Sequence, residues 1–243
     1  MLMKTRPIPG VDGSIGSAAE FDDRDLGYIK QLDGHQDDLF TEADRCGTSV
    51  NHEVERRLYA RGSRGGFAYV IASGLVRFER VTAAGNRRIT RIAGTGDLIG
   101  QEALLDQGYR DDAIACTPVA LRRVSAAVLN HSGEHTVRLS MALMCRWQET
   151  LDESEFWSTE VVAGPARRRV LQLLARLNQL RDEADLIWLP KREQMGDMLN
   201  LTIETCSRVL SALRRDGVLR LVAPRQAHLE PDLLAQALAQ SNH

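Results

Sequence analysis

LPKREQMGDMLNLTIETCSRVLSALRRDGVL, running from Leu189 to Leu219, contains two short helical patterns joined by one tight turn. The first spans about Arg192 to Leu199 and the second about Ile203 to Arg215. Asn200-Leu201-Thr202 lies between them and Gly217 is the stop. Thr202 suits the N-cap, since its hydroxyl can accept from a first-turn N–H, and Thr205 falls in that first turn. Met195, Leu199, Leu201, Cys206, Val209, Leu210 and Leu213 make one apolar seam. Glu204, Ser207 and Arg208 are left facing outward at the start of the second helix. That is the pattern of a helix-turn-helix with a polar recognition surface.

The chemistry of the outward residues suits DNA. Arg208 can fork onto the O6 and N7 acceptors of guanine, and Glu204 can accept from a cytosine or adenine amino group. Ser207 is short enough to touch a base edge or a thymine methyl. Lys191, Arg192, Thr202 and Thr205 are expected on phosphates at helix N-termini, with Arg214, Arg215 and Arg225 extending the backbone contact. The competing reading is a helical hairpin that packs only against protein. Cys206 lies on the recognition helix near positive charge that lowers a thiol pKa, so it is a candidate redox switch. Its place in the apolar seam favours the plainer reading of a small hydrophobe.

Charge is distributed to match. Residues 1–163 hold 19 Lys and Arg against 24 Asp and Glu, a balance of −5, whereas residues 164–230 hold 12 against 8, a balance of +4. A basic C-terminal segment behind an acidic body is expected if only that segment meets phosphate. With 43% hydrophobic and 26% charged residues, the 243-residue chain is neither fibrous nor wholly disordered. Its four cysteines, Cys46, Cys116, Cys145 and Cys206, are far apart, which argues against a disulfide scaffold or an all-cysteine zinc site. No apolar run approaches the roughly 18 residues of a membrane span. The opening MLMKTRPIPG lacks a signal-peptide core. A cytoplasmic protein with reduced thiols and no membrane is expected.

Outward from the motif, Gly164-Pro165 marks a boundary, and Arg167 to Leu180 forms an amphipathic helix with Val170, Leu171, Leu174 and Leu177 on its apolar face. Before it, Val137, Met141, Met144 and Leu151 form one helical stripe and Leu139, Leu143 and Trp147 another. One stripe is expected against the preceding domain and the other against a second copy of the helix. From Arg57 to Leu129 the texture is β, with short apolar runs between glycines. Ala84-Gly85-Asn86 turns a hairpin between VRFERV and RRITRI, and Thr117-Pro118 breaks two further strands, Asp112 to Cys116 and Val119 to Val124. A wing is expected from Leu219 to Leu229. The expected organisation is a tail at 1–35, a β-roll at 36–130, a dimerisation helix at 131–163 and a winged helix-turn-helix at 164–243, an α+β chain.

This order resembles the CRP/FNR family of bacterial transcription regulators over roughly residues 40–230. Ile203-Glu204-Thr205-Cys206-Ser207-Arg208 resembles the Glu-x-x-Ser-Arg signature of the FNR-like branch. Ser73-Gly74-Leu75-Val76, Gly96-Asp97-Leu98-Ile99-Gly100 and Arg214 to Leu219 also match. The resemblance implies a cyclic-nucleotide-binding-like jelly roll, a homodimer reading a TTGA(T/C)-like palindrome in double-stranded DNA, and RNA polymerase as a partner.

The sensor positions depart from the best-known relatives. Where the cyclic-nucleotide branch has Glu after Gly, this chain has Gln101. Where that branch holds the cyclic phosphate with Arg and Ser or Thr, the chain reads Arg110-Asp111-Asp112-Ala113, and two carboxylates repel a phosphate. The clustered cysteines of the iron–sulfur branch are missing. Cyclic nucleotide and an iron–sulfur cluster are therefore not expected. Haem stays open, with His35, His52, Cys46 and Cys116 as candidate ligands, and a haem- or thiol-based redox or gas sensor is one alternative. His131 and His135, four apart, lack a third metal ligand. A β-roll metalloenzyme would need strand histidines, and Arg57 to Leu129 contains none, so no enzyme is expected. A DNA-free dimeric interaction module is the remaining alternative.

Overall fold

The computed structural model describes residues 47–127 and 136–241, apart from residue 183 and the side chains of 136–140. The expected tail at 1–35 and the candidates His35, Cys46, His131 and His135 lie outside the described residues.

Two four-stranded antiparallel sheets form the N-terminal part. One has the order β1 (Thr48–His52), β8 (Val119–Ser125), β3 (Phe67–Ser73), β6 (Leu98–Ile99). The other is β2 (Arg57–Tyr59), β7 (Asp112–Ala115), β4 (Val76–Val81), β5 (Arg87–Ala93). The β4–β5 hairpin pairs Val76 with Ala93 and Val81 with Arg87, and Gly85 takes φ 81° in its turn. Between the sheets lie Ala68, Val70, Ile71, Val76, Ile99, Ala113, Ala115 and Leu121, all at most 1% exposed. Just beyond β7, Thr117 Oγ1 accepts the Leu75 N–H at 2.9 Å.

The long helix α1 (Thr136–Phe156) continues as a wider turn through Val161. It buries Ala142 and Arg146, and Leu143 packs on the sheet core. Glu153 of α1 accepts Nε and Nη2 of Arg176 at 3.1 and 2.8 Å, so α1 is tied to α2 (Ala166–Gln179). The opposite face of α1 leaves Met141, Met144 and Leu151 42, 52 and 59% exposed.

After α2 come β9 (Ile187–Trp188), α3 (Arg192–Leu199), α4 (Ile203–Arg215), the hairpin β10 (Leu219–Ala223) and β11 (Gln226–Leu229), and α5 (Pro231–Gln240). The three strands form a sheet of order β10-β11-β9. Val170, Leu171, Leu174 and Leu177 of α2 meet Met195, Leu199, Cys206, Leu210 and Leu213 in one core. Leu75, Ile89, Ile92 and Cys116 of the sheets belong to that same core, so the two parts share an apolar contact. The fit is tight at Gly94, where a Cβ would stand 2.9 Å from Leu180 Cδ2.

Candidate nucleic-acid interface

The helix-turn-helix is built by local chemistry. Asn200 caps α3 in the left-handed conformation, φ 55°, and donates its N–H to the Gly196 carbonyl. Thr202 takes an extended backbone as N-cap of α4 and accepts the Thr205 N–H at 3.2 Å. The two threonine hydroxyls lie 3.0 Å apart, Thr202 donating to Thr205. Arg169 of α2 donates to the Leu199 carbonyl at 3.1 Å, satisfying a group that the end of α3 leaves open.

Cys206, Leu210 and Leu213 turn α4 inward, and Glu204 and Arg208 stand exposed, with Ser207 half-buried between them. The Glu204 carboxyl is held below its usual range, first by its own backbone N–H and then by the Thr202 hydroxyl, so it is an anion at neutral pH. Arg214 is exposed at the far end of α4, and Lys191 is exposed as N-cap of α3, its N–H donating to Gln194 Oε1 at 2.9 Å. Arg192 is half-buried; burial lowers its pKa and the neighbouring Arg214 charge adds to this.

Two sequence expectations meet a different environment. Arg225, expected on a phosphate, donates Nη1 to Glu55 of the β1–β2 loop at 2.9 Å and Nη2 to Gln194 at 3.0 Å, with its guanidinium 5.1 Å from the Trp188 ring centroid. In the DNA-free protein an acidic side chain from the other domain therefore holds it. Cys206, the candidate switch, is fully buried, and burial pushes its thiol pKa up against the lowering effect of Arg192. A thiol so placed has little of the thiolate that redox chemistry needs.

Gln194 and Gly196 were not singled out from sequence. Gln194 is buried and its one oxygen serves both Lys191 and Arg225. A glycine in mid-helix was the signal at Gly196.

In the β-roll, a cavity of about 320 Å³ is lined by Tyr59, Phe78, Arg80, Arg91, Arg110 and Asp111, among others. Arg80 holds Asp111 with two hydrogen bonds, Nε to Oδ1 at 2.7 Å and Nη2 to Oδ2 at 3.2 Å. Arg110 donates its N–H to Glu102 at 3.3 Å. Neither His52 nor Cys116 lines this cavity. Cys116 is buried in the shared core, where burial pushes its thiol up to about 12 despite Arg77 beside it.

Comparison with known proteins assigns both parts. The cyclic nucleotide-binding domain family matches residues 50–132, and the Crp-like helix-turn-helix domain family matches residues 168–237. The chain is 31% identical over 179 residues to the cyclic AMP receptor protein of Thermus thermophilus, covering 69% of this chain and 80% of the relative. It is 27% identical over 175 residues to the nitrogen fixation regulation protein FixK of Rhizobium meliloti, covering 71 and 78%. The solved structure of FixK2 from Bradyrhizobium japonicum superposes with a TM-score of 0.70 at 25% identity, over 79% of this chain and 96% of that one.

Proposed function

The chain belongs to the CRP/FNR family of transcription regulators, and from that premise we propose that it is a homodimer that reads a TTGA-type palindrome in double-stranded DNA. The observation that carries this is the surface of α4: an ionised Glu204, Ser207 and an exposed Arg208 in its N-terminal half, backed by buried Cys206, Leu210 and Leu213. Such a surface fits the major groove, with Arg208 on guanine and Glu204 on an amino group. Lys191, Arg192, Thr202, Thr205 and Arg214 are the phosphate ligands of this reading. Thr202 keeps its hydroxyl within the turn, so its share of phosphate binding falls to the α4 backbone N–H groups it aligns, whereas Thr205, which only accepts from Thr202, keeps its own O–H to donate.

The exposed stripe Met141, Met144 and Leu151 supports the dimer. With Gln148 between them it follows the three-and-four spacing of a coiled-coil seam. Two-fold symmetry then sets the centres of the half-sites about 10 bp apart.

For the sensor cleft we favour no cyclic nucleotide. Asp111 already neutralises Arg80, and a phosphate entering there would meet that carboxylate. No iron–sulfur cluster or haem is part of this reading. RNA polymerase is the second partner implied by family resemblance, and the cytoplasm is where both partners are met.

Titration of the purified protein onto a duplex carrying TTGA and TCAA half-sites, against one with scrambled half-sites, tests the proposal. A preference of at least about 10³-fold is expected. Equal affinity for both duplexes would contradict sequence reading by α4.

A further inference from the structure

Two turns on opposite sides of the domain boundary each carry a long charged side chain where glycine is favoured. The first is closed by the Arg56 N–H donating to the Glu53 carbonyl at 3.1 Å, and in it Glu55 has φ 64°. The second is the wing turn Pro224-Arg225, where Arg225 has φ 66°. A left-handed backbone strains any residue that carries a Cβ, and the third position of such a turn normally takes glycine. If these turns had only to close, glycine would serve both.

Instead the two side chains meet. Arg225 Nη1 donates to Glu55 Oε1 at 2.9 Å, and the other oxygen of Glu55 takes Nη2 of the buried Arg77 at 2.6 Å. Arg77 also donates Nε to Glu79 at 2.7 Å, and Arg225 also donates to Gln194. A continuous polar chain therefore runs from β4 through Glu55 to the wing and to α3. For a guanidinium, a carboxylate oxygen and a phosphate oxygen are acceptors of the same kind.

We propose that Glu55 is an internal phosphate mimic: in the DNA-free protein it holds the wing arginine, and DNA binding exchanges the Glu55 carboxylate for a backbone phosphate on Arg225. This rests on the DNA-binding reading above. Glu55 thereby restrains DNA affinity, and its second bond, to Arg77, connects that restraint to the sensor sheet.

Four proteins test it on the palindromic duplex: wild type, Glu55→Gln, Arg225→Ala and the double variant, each checked by thermal melting. Gln keeps an oxygen for Arg77 while removing the charge. Glu55→Gln is expected to bind about three- to tenfold tighter. Arg225→Ala is expected to bind more weakly and to lower the salt slope by about 0.9 for each phosphate that the arginine no longer neutralises. On the Arg225→Ala background, Glu55→Gln is expected to change nothing. Glu55→Gly, which relaxes the turn, repeats the gain if the Gln variant melts early. Folded Glu55 variants with unchanged or weaker binding would overturn the proposal, as would an equal gain without Arg225. A wild type that binds no duplex would instead sink the regulator reading, and this proposal with it.

Discussion

Gly196 of α3 lies so close to Leu201 that a Cβ on it would stand 2.7 Å from the Leu201 carbonyl oxygen. The Leu201 N–H donates back to the Gly196 carbonyl at 3.3 Å. The helix-turn-helix angle is thus set by a backbone-to-backbone contact that tolerates no side chain. Gly196→Ala gains about 1 kcal/mol in helix propensity but meets an oxygen that cannot swing aside. A net loss of about 1–2 kcal/mol is expected, read as a lower denaturant midpoint. A midpoint equal to or above that of the wild type would mean that the turn yields freely.

Arg208 lies midway along α4 and Arg214 in its last turn, and their loss should read differently. Arg208→Ala is expected to cost about 1–3 kcal/mol on the palindrome and to leave binding to unrelated DNA nearly unchanged. Arg214→Ala is expected to weaken all duplexes alike and to lower the salt slope by about one unit per site. Anisotropy titrations at several salt concentrations separate the two. The same response from both variants would remove the distinction between base and phosphate contacts.

Met144, about half exposed on α1, is the centre of the seam assigned to the dimer. A glutamate there places like charges across a two-fold axis. Met144→Glu is expected to sediment as a folded monomer with unchanged helical content and to lose most palindrome affinity. A Met144→Glu dimer of wild-type stability would locate the interface elsewhere.

Cys206 has its thiol pKa raised by burial, so its thiolate fraction at neutral pH lies below that of a free cysteine and grows only at alkaline pH. Alkylation at pH 7 is expected to be slow until the protein unfolds. Cys206→Val, which keeps an apolar group of similar size, should retain DNA binding with or without reductant. Rapid modification of the folded protein, with loss of binding, would restore the switch reading.

Much of the fold was legible where local signals agree. Thr202 as N-cap and Gly217 as stop bound α4 where the structure has it, and the Gly85 turn matches its hairpin. The four α2 positions chosen by periodicity, Val170, Leu171, Leu174 and Leu177, are all at most 1% exposed. What escaped was non-local. Strands β1, β2 and β6 are five, three and two residues long, and pairing with β8, β7 and β3 makes them strands, not their own composition. Helix α5 carries a local signal, Pro231 in its first turn with Leu234, Ala237 and Leu238 at helical spacing. Within the candidate site, the exposure of Glu204 and Arg208 followed from the seam. The fate of Arg225 did not, because its partner Glu55 is 170 residues away in sequence.

The central claim is that α4 reads DNA sequence, and selection from randomised duplexes tests it most directly. The purified protein would be incubated with the pool, with and without reductant, and the bound fraction sequenced. Enrichment of a TTGA…TCAA palindrome under both conditions is the expected result, lost in Arg208→Ala. A pool left unenriched by the wild type would contradict the claim.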